Sequence, residues 1–210
     1  MKGLTRIAPP AAEPVTLAET KSHLRIDDDA DDALITDLIV AGRQAAEEHL
    51  RRALVTQSWR LTLDRFPGRR FAWWDGVRQG TAVVEPAGGI ELPRPPLASV
   101  TSVTVYDDAD TALVVPAADY FTDTDREPGR IVPRAGKTWP TVARVANGVE
   151  IVFVAGYGAA SDVPEAIRQG ILALVAHYYE HREAADPAGS AAGLPPGVAA
   201  LWRPFRVLGL

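Results

Sequence analysis

LITDLIVAGRQAAEEHLRRALVTQSWRLTL, residues 34–63, changes its hydrophobic period midway. In the first part Leu34, Ile35, Leu38, Ile39, Gly42, Ala45, Ala46, His49 and Leu50 recur at steps of three and four. That spacing places them on one face of a helix, predicted from about Asp31 to Arg51. The small residues at 42, 45 and 46 allow a partner helix to approach closely. Arg51 and Arg52 fall at the C-terminal end, where the helix dipole favours cations. Beyond Leu54 the period becomes two. Val55, Trp59, Leu61 and Leu63 share one face, and Thr56, Ser58, Arg60 and Thr62 the other, the signature of a half-buried strand. A long helix running straight into a strand begins to define the fold class.

Working outward, residues 1–15 hold three prolines and no period, so an extended N-terminal arm is expected. Thr16 and Glu19 have capping-box spacing, which predicts a short helix from Leu17 to Arg25. The acidic run Asp27–Asp32 leads into the long helix, where negative charge is favoured. On the other side, strands are expected at Gly89–Leu92, Val100–Tyr106, Leu113–Val115, Tyr120–Thr122, Arg130–Val132 and Val149–Ala155, with EPGR (127–130) as a turn. Residues 64–88 form a longer loop rich in Arg, Gly and Trp. Asp162 and Glu165 repeat the capping-box spacing, and Val163, Ile167, Ile171, Leu174, Val175 and Tyr178 make a helical stripe reaching about Arg182. AADPAGSAAGLPPG (184–197) is a linker by composition. VAALWRPFRVLGL (198–210) is apolar and aromatic again.

The expected class is therefore α+β. N- and C-terminal helices (16–53 and 162–185) form a bundle. An antiparallel β-rich unit (54–161) is inserted between them, and a linker and C-terminal tail (186–210) follows. With 47% hydrophobic residues the chain can bury a real core. Its net charge of −5 does not favour nucleic-acid binding, which needs a basic surface. There is no cysteine, hence no disulfide and no thiolate metal site. No secretory h-region or membrane-length apolar run is visible. Charge is uneven: residues 1–50 carry 5 basic and 10 acidic side chains, whereas 51–94 carry 8 basic and 4 acidic. Such polarity suits a protein that meets differently charged neighbours on different faces, and ordinary surface charge accounts for it equally.

Motifs for catalysis fail on inspection. HYYEH (His177–His181) matches the H-x-x-E-H zinc-protease pattern, with Glu180 as base. Only 29 residues follow His181, and Glu183 and Asp186 are too near to complete a site. The plainer reading is a surface pair on an amphipathic helix. Asp27, Asp29 and Asp31 begin like a calcium loop, but the sixth position is Asp32 and the twelfth Leu38. GYGAAS (156–161) lies between strand and helix yet lacks the rest of a phosphate-binding fingerprint, so a tight turn is preferred. No catalytic residue, metal or cofactor is expected.

Two segments are candidates for protein contact. RFPGRRFAWWDGVRQG (65–80) offers Arg69, Arg70, Trp73 and Trp74, residue types that dominate interface hot spots. Basic and aromatic residues together also occur in single-strand nucleic-acid grooves, and the tryptophans could simply cap the β core. The tail presents Leu201, Trp202, Arg203, Phe205 and Arg206. It either straps its own core or docks into a neighbour's groove.

The ordered set of segments carries a resemblance. VTLAETKSHLRIDDDADDALITDLIVAGRQAAEEHL (15–50) resembles the opening helices of phage head–tail connector proteins. RALVTQSWRLTLDRFP, IELPRPPLASVTSVTVYD, EPGRIVP, VEIVFVAGYGAASDVPEAIRQGILALVAHYYEHRE and PPGVAALWRPFRV are similar, in order, to a subgroup with a β insertion. Gene transfer agent adaptors are similar too. The resemblance implies a homo-oligomeric ring, typically dodecameric, beneath the portal in the particle neck. It implies portal, stopper and tail proteins as partners and DNA passing through the channel without sequence-specific binding. The helical part would make the ring and the tail would reach the portal. Assembly in a bacterial cytoplasm is expected, with no membrane partner. The acidic N-terminal helices and the basic 51–94 region could supply part of the match between adjacent copies. A tail terminator ring is the alternative, and a zinc hydrolase using His177, Glu180 and His181 a remote one. Deletion of Leu194–Leu210 is expected to leave a folded subunit.

Overall fold

The computed structural model describes residues 2–67, 89–181 and 194–207. The chain divides into two compact units, residues 1–9 with 57–155 and residues 10–56 with 156–210.

The first unit is β-built. β1 (Lys2–Ala8), β2 (Gln57–Leu63), β4 (Leu97–Tyr106), β5 (Ala112–Val114) and β8 (Val149–Ala155) form an antiparallel sheet in the order β1-β2-β8-β4-β5. β3 (Ile90–Glu91), β6 (Tyr120–Asp123) and β7 (Arg130–Pro133) form a second antiparallel sheet, ordered β3-β7-β6. The period-two expectation for β2 is met. Trp59, Leu61 and Leu63 are buried while Ser58, Arg60 and Thr62 are half-exposed. β8 alternates likewise, burying Val149, Ile151, Phe153 and Ala155. Ile151 stands opposite Leu61 on one side and Val103 on the other, all three fully or nearly fully buried. Such cross-strand apolar triplets stabilise the centre of the sheet. Ile90, Leu92, Tyr120 and Ile131 supply the apolar side of the second sheet.

The N-terminal arm departs from expectation. Its first part is β1, paired antiparallel to β2 with Lys2 opposite Leu63 and Arg6 opposite Trp59. From Leu4 to Ala8 it buries no side chain, so no alternation marks it in the sequence. Backbone pairing to the otherwise open edge of β2 holds it there.

The second unit is helical. α1 (Leu17–Leu24) begins with the expected capping box. The Glu19 N–H donates to Thr16 Oγ1 at 3.1 Å and the Thr16 N–H donates to Glu19 Oε2 at 2.8 Å. α2 (Asp32–Leu50) and α3 (Glu165–Glu180) pack on one another. Gly42 lies on their contact. A Cβ there would stand 3.1 Å from Val175 Cγ2, so the lack of a side chain sets the close approach. α1 and α2 each end on an arginine in the left-handed conformation, Arg25 and Arg51.

Two expectations for this unit need correction. Asp162 does not cap α3. It closes a short 3-10 turn (Ala160–Asp162), where its Oδ2 accepts from the Ala159 N–H at 2.8 Å, and α3 starts after Pro164 with no side-chain cap. Proline at that point already fixes the extended entry, so the helix starts later. The buried face of α2 is also rotated from the predicted stripe. Arg43 and Glu47 are buried, while Leu34, Leu38 and Ala45 are only half-buried.

The core of the second unit is built from Val15, Ile35, Ile39, Leu50 and Leu54 against Ile167, Ile171, Leu174 and Val175. α4 (Pro196–Trp202) completes it with Val198 and Trp202. Among the described residues no helix is long and apolar enough to cross a membrane.

Candidate functional site

The tail is built into the helical unit. Trp202 is 0% exposed, and its indole Nε1–H donates to the carbonyl of Ile167 at 3.2 Å. Gly170 makes the space for it: a Cβ there would fall 2.1 Å from the indole nitrogen. The His49 ring of α2 lies against the indole, with centroids 6.0 Å apart. After α4 a single 3-10 turn (Arg203–Phe205) returns the chain to the end of α2. There the Val207 N–H donates to the Leu50 carbonyl at 3.0 Å and Arg52 Nε–H donates to the Phe205 carbonyl.

Of the five tail residues singled out, Trp202 is therefore a core residue of its own chain and presents no surface to a neighbour. Phe205 is half-buried against the same core. Leu201, at 43% exposure, and the exposed Arg203 and Arg206 remain on the surface. The burial of Val198 and Trp202 argues against the expectation that the chain folds without Leu194–Leu210. That deletion is expected to open the core at Gly170. Arg69, Arg70, Trp73 and Trp74 lie outside the described residues.

Burial, and next the nearby Arg206 charge, hold the His49 pKa below its ordinary 6.5. The unfolded chain thus binds a proton more readily than the folded one. The stability from neutral His49 is complete above pH 6.5 and is lost as pH falls through the lower folded value. His49→Gln is expected to flatten this part of the pH dependence, measured as urea midpoint against pH between 7 and 5.

The other motifs resolve into structure. Lys21 Nζ donates to Asp29 Oδ1 at 2.6 Å and to Asp32 Oδ1 at 2.8 Å, which ties the acidic run to α1. These bonds raise the Lys21 pKa, that to Asp29 most. Tyr179 donates its hydroxyl proton to Asp31. Gly156 and Gly158 have φ of +129° and +131°. The Tyr157 N–H donates to the Leu54 carbonyl at 2.9 Å, and the Thr56 N–H to Gly158 at 3.0 Å, so GYGAAS is the tight turn expected. The His177 and His181 rings lie 4.4 Å apart between centroids, tilted by 37°, and His181 Nδ1 sits 2.9 Å from the His177 carbonyl. Among the described residues no group of three or more His, Asp or Glu is placed to hold a metal ion.

Sequence reasoning missed Arg43. This buried guanidinium donates to Glu13 Oε2 at 2.6 Å and to Glu47 Oε2 at 2.9 Å, and Glu47 Oε1 accepts the Leu54 N–H at 3.2 Å. Arg168 of α3 makes a comparable tie, donating to the Pro14 carbonyl at 3.0 Å, to Glu165 at 3.1 Å and to Glu19. Both arginines fix the start of the helical unit. Their i,i+4 and i,i+3 carboxylate partners, Glu47 and Glu165, were the only available sequence signal.

Residues 14–109 match the sequence model of the phage gp6-like head–tail connector protein family. No curated protein matches the chain. Among solved structures it is similar to a chain in the neck of an empty gene transfer agent particle, computed with C6 symmetry. The identity is 28%, the TM-score 0.74, and the match covers 99% of this chain and 97% of that one. A chain in the virion of a native gene transfer agent particle is similar at 26% identity and TM-score 0.74, with 99% and 96% covered. One in the neck of the native particle, computed with C12 symmetry, is similar at 27% identity and TM-score 0.71, with 99% and 97% covered. The chain is a structural head–tail connector, an adaptor, in a phage or gene transfer agent particle. The resemblance read from the sequence is thus shown, as is the α+β class.

Proposed function

We propose that the chain forms a homo-oligomeric ring, dodecameric by similarity, between the portal and the stopper or tail, where it extends the DNA channel and performs no catalysis. One observation carries this reading. The similarity to chains in gene transfer agent necks runs over nearly the whole of both chains, and those necks were computed with C6 and C12 symmetry. A ring subunit needs no ligand pocket, only two complementary sides and two ends. Net negative charge along a channel wall also keeps phosphates from sticking. The exposed Leu201, Arg203 and Arg206 are the part of the tail left to meet the portal. Arg69, Arg70, Trp73 and Trp74 are the second proposed protein contact, on residue type alone. Assembly takes place in the bacterial cytoplasm.

Cross-linking of particles that contain the chain tests this placement. Adducts with the portal protein are expected. Adducts with the tail tube and none with the portal would instead make the chain a tail terminator.

A further inference from the structure

HYYEH (177–181) is a motif that the connector reading leaves unused. His177 lies in the last turn of α3, and His181 caps it. One acceptor holds the end of the helix together. The His177 carbonyl accepts the His181 N–H at 3.1 Å and lies 2.9 Å from His181 Nδ1. A carbonyl oxygen carries no proton, so Nδ1 is the donor, and in the neutral ring the lone pair is then left on Nε2. Two bonds from one residue to one oxygen also fix where the ring lies. It lies beside the ring of His177, with 4.4 Å between centroids and 37° between planes. His181 is exposed and His177 half-exposed, so a hydrated ion can reach both.

We propose that His177 and His181 chelate one borderline divalent transition-metal ion, with water in its remaining positions. Three observations carry this. The spacing is i, i+4, which puts two imidazoles on one helix face within reach of a single ion. The separation fits as well. An imidazole nitrogen binds such an ion at about 2.0–2.1 Å, which places the centres of two rings on adjacent coordination positions roughly 4.5–5 Å apart. The 4.4 Å between these rings is close to that. Third, an Nδ1–H bond to a backbone carbonyl is the arrangement that orients a ligating histidine and leaves Nε2 as the ligand atom. The setting adds to this, because α3 ends here and the negative end of the helix dipole favours a cation. The donor set decides the class of ion. Neutral imidazoles suit copper, nickel and zinc, whereas magnesium and calcium take oxygen ligands. Among the described residues no group of three or more His, Asp or Glu is placed to hold a metal, so the ion has two protein ligands and is bound rather than used for hydrolysis. This departs from the expectation that no metal is bound. It does not rest on the ring reading, since both ligands come from one chain.

Calorimetry of the full chain, without a histidine tag, against copper, nickel and zinc chloride tests the site. One ion per chain is expected, with copper bound tighter than zinc and no competition from an excess of magnesium or calcium. His177→Gln and His181→Gln are each expected to weaken binding by about tenfold or more, since either change forfeits the chelate. His23→Gln and His49→Gln are expected to leave it unchanged. Histidine NMR signals of the unaltered chain give a second reading that needs no variant. Of the four histidines, His177 and His181 are expected to broaden first as copper is added below one equivalent. Displacement of the ion by magnesium or calcium would move it to the acidic run before α2 and overturn the proposal. Undiminished binding in His177→Gln or His181→Gln would overturn it too, as would earlier broadening of His23 or His49, or the lack of any saturable heat.

Discussion

Trp202→Ala is expected to destabilise the helical unit by about 3–5 kcal/mol, the usual cost of emptying a large aromatic from a closed core. The indole is fully buried, its N–H is satisfied by the Ile167 carbonyl, and Gly170 leaves a space matched to it. No neighbouring backbone can collapse into the gap without losing the α3–α4 contact. Gly170→Leu is expected to fail similarly from the other side, because the new side chain occupies the indole's place. Urea unfolding monitored by far-UV circular dichroism checks both. A midpoint for Trp202→Ala equal to that of the parent chain would show that the tail does not belong to this core. Deletion of residues 194–210 is expected to be at least as damaging, since it also removes Val198 and the Val207 bond to Leu50.

The second large effect is expected at the buried ion pair. Glu47→Leu removes one partner of Arg43, whose side chain is 3% exposed, and frees the Leu54 N–H from its acceptor. Leaving a buried guanidinium with Glu13 alone is expected to cost ~3–5 kcal/mol. The paired change Arg43→Met with Glu47→Leu is expected to recover much of that loss, because both charges then leave the interior together. A double-mutant cycle in urea measures the coupling. Equal stability for the single Glu47→Leu chain and the parent would contradict the network described.

The two predictions show where sequence pattern stops. Capping-box spacing located α1, helical stripes located α2 and α3, and alternation or short strand-like runs between Pro and Gly located the seven strands from β2 to β8, although β5 is exposed throughout. It could not locate β1, which buries no side chain from Leu4 to Ala8 and exists through backbone pairing with β2. It misplaced the inner face of α2 by part of a turn, because Arg43 and Glu47 read as surface residues until Glu13, 30 residues away, is brought to them. Asp162 had the spacing of a cap, but Pro164 moved the helix start beyond its reach. The tail was the open question. Its apolar anchors were legible, but their destination was not, because the notch at Gly170 lies 32 residues earlier, on a helix where a glycine reads only as a weak point. Of the five tail residues, Leu201, Arg203 and Arg206 are the ones the structure leaves exposed.

Electron microscopy of the neck in particles that carry this chain tests the central claim most directly. The expected result is a ring of this chain, twelve copies by similarity, seated against the portal with its axis on the DNA channel. A neck whose ring is made of another protein, with this chain absent or confined to the end of the tail tube, would contradict it.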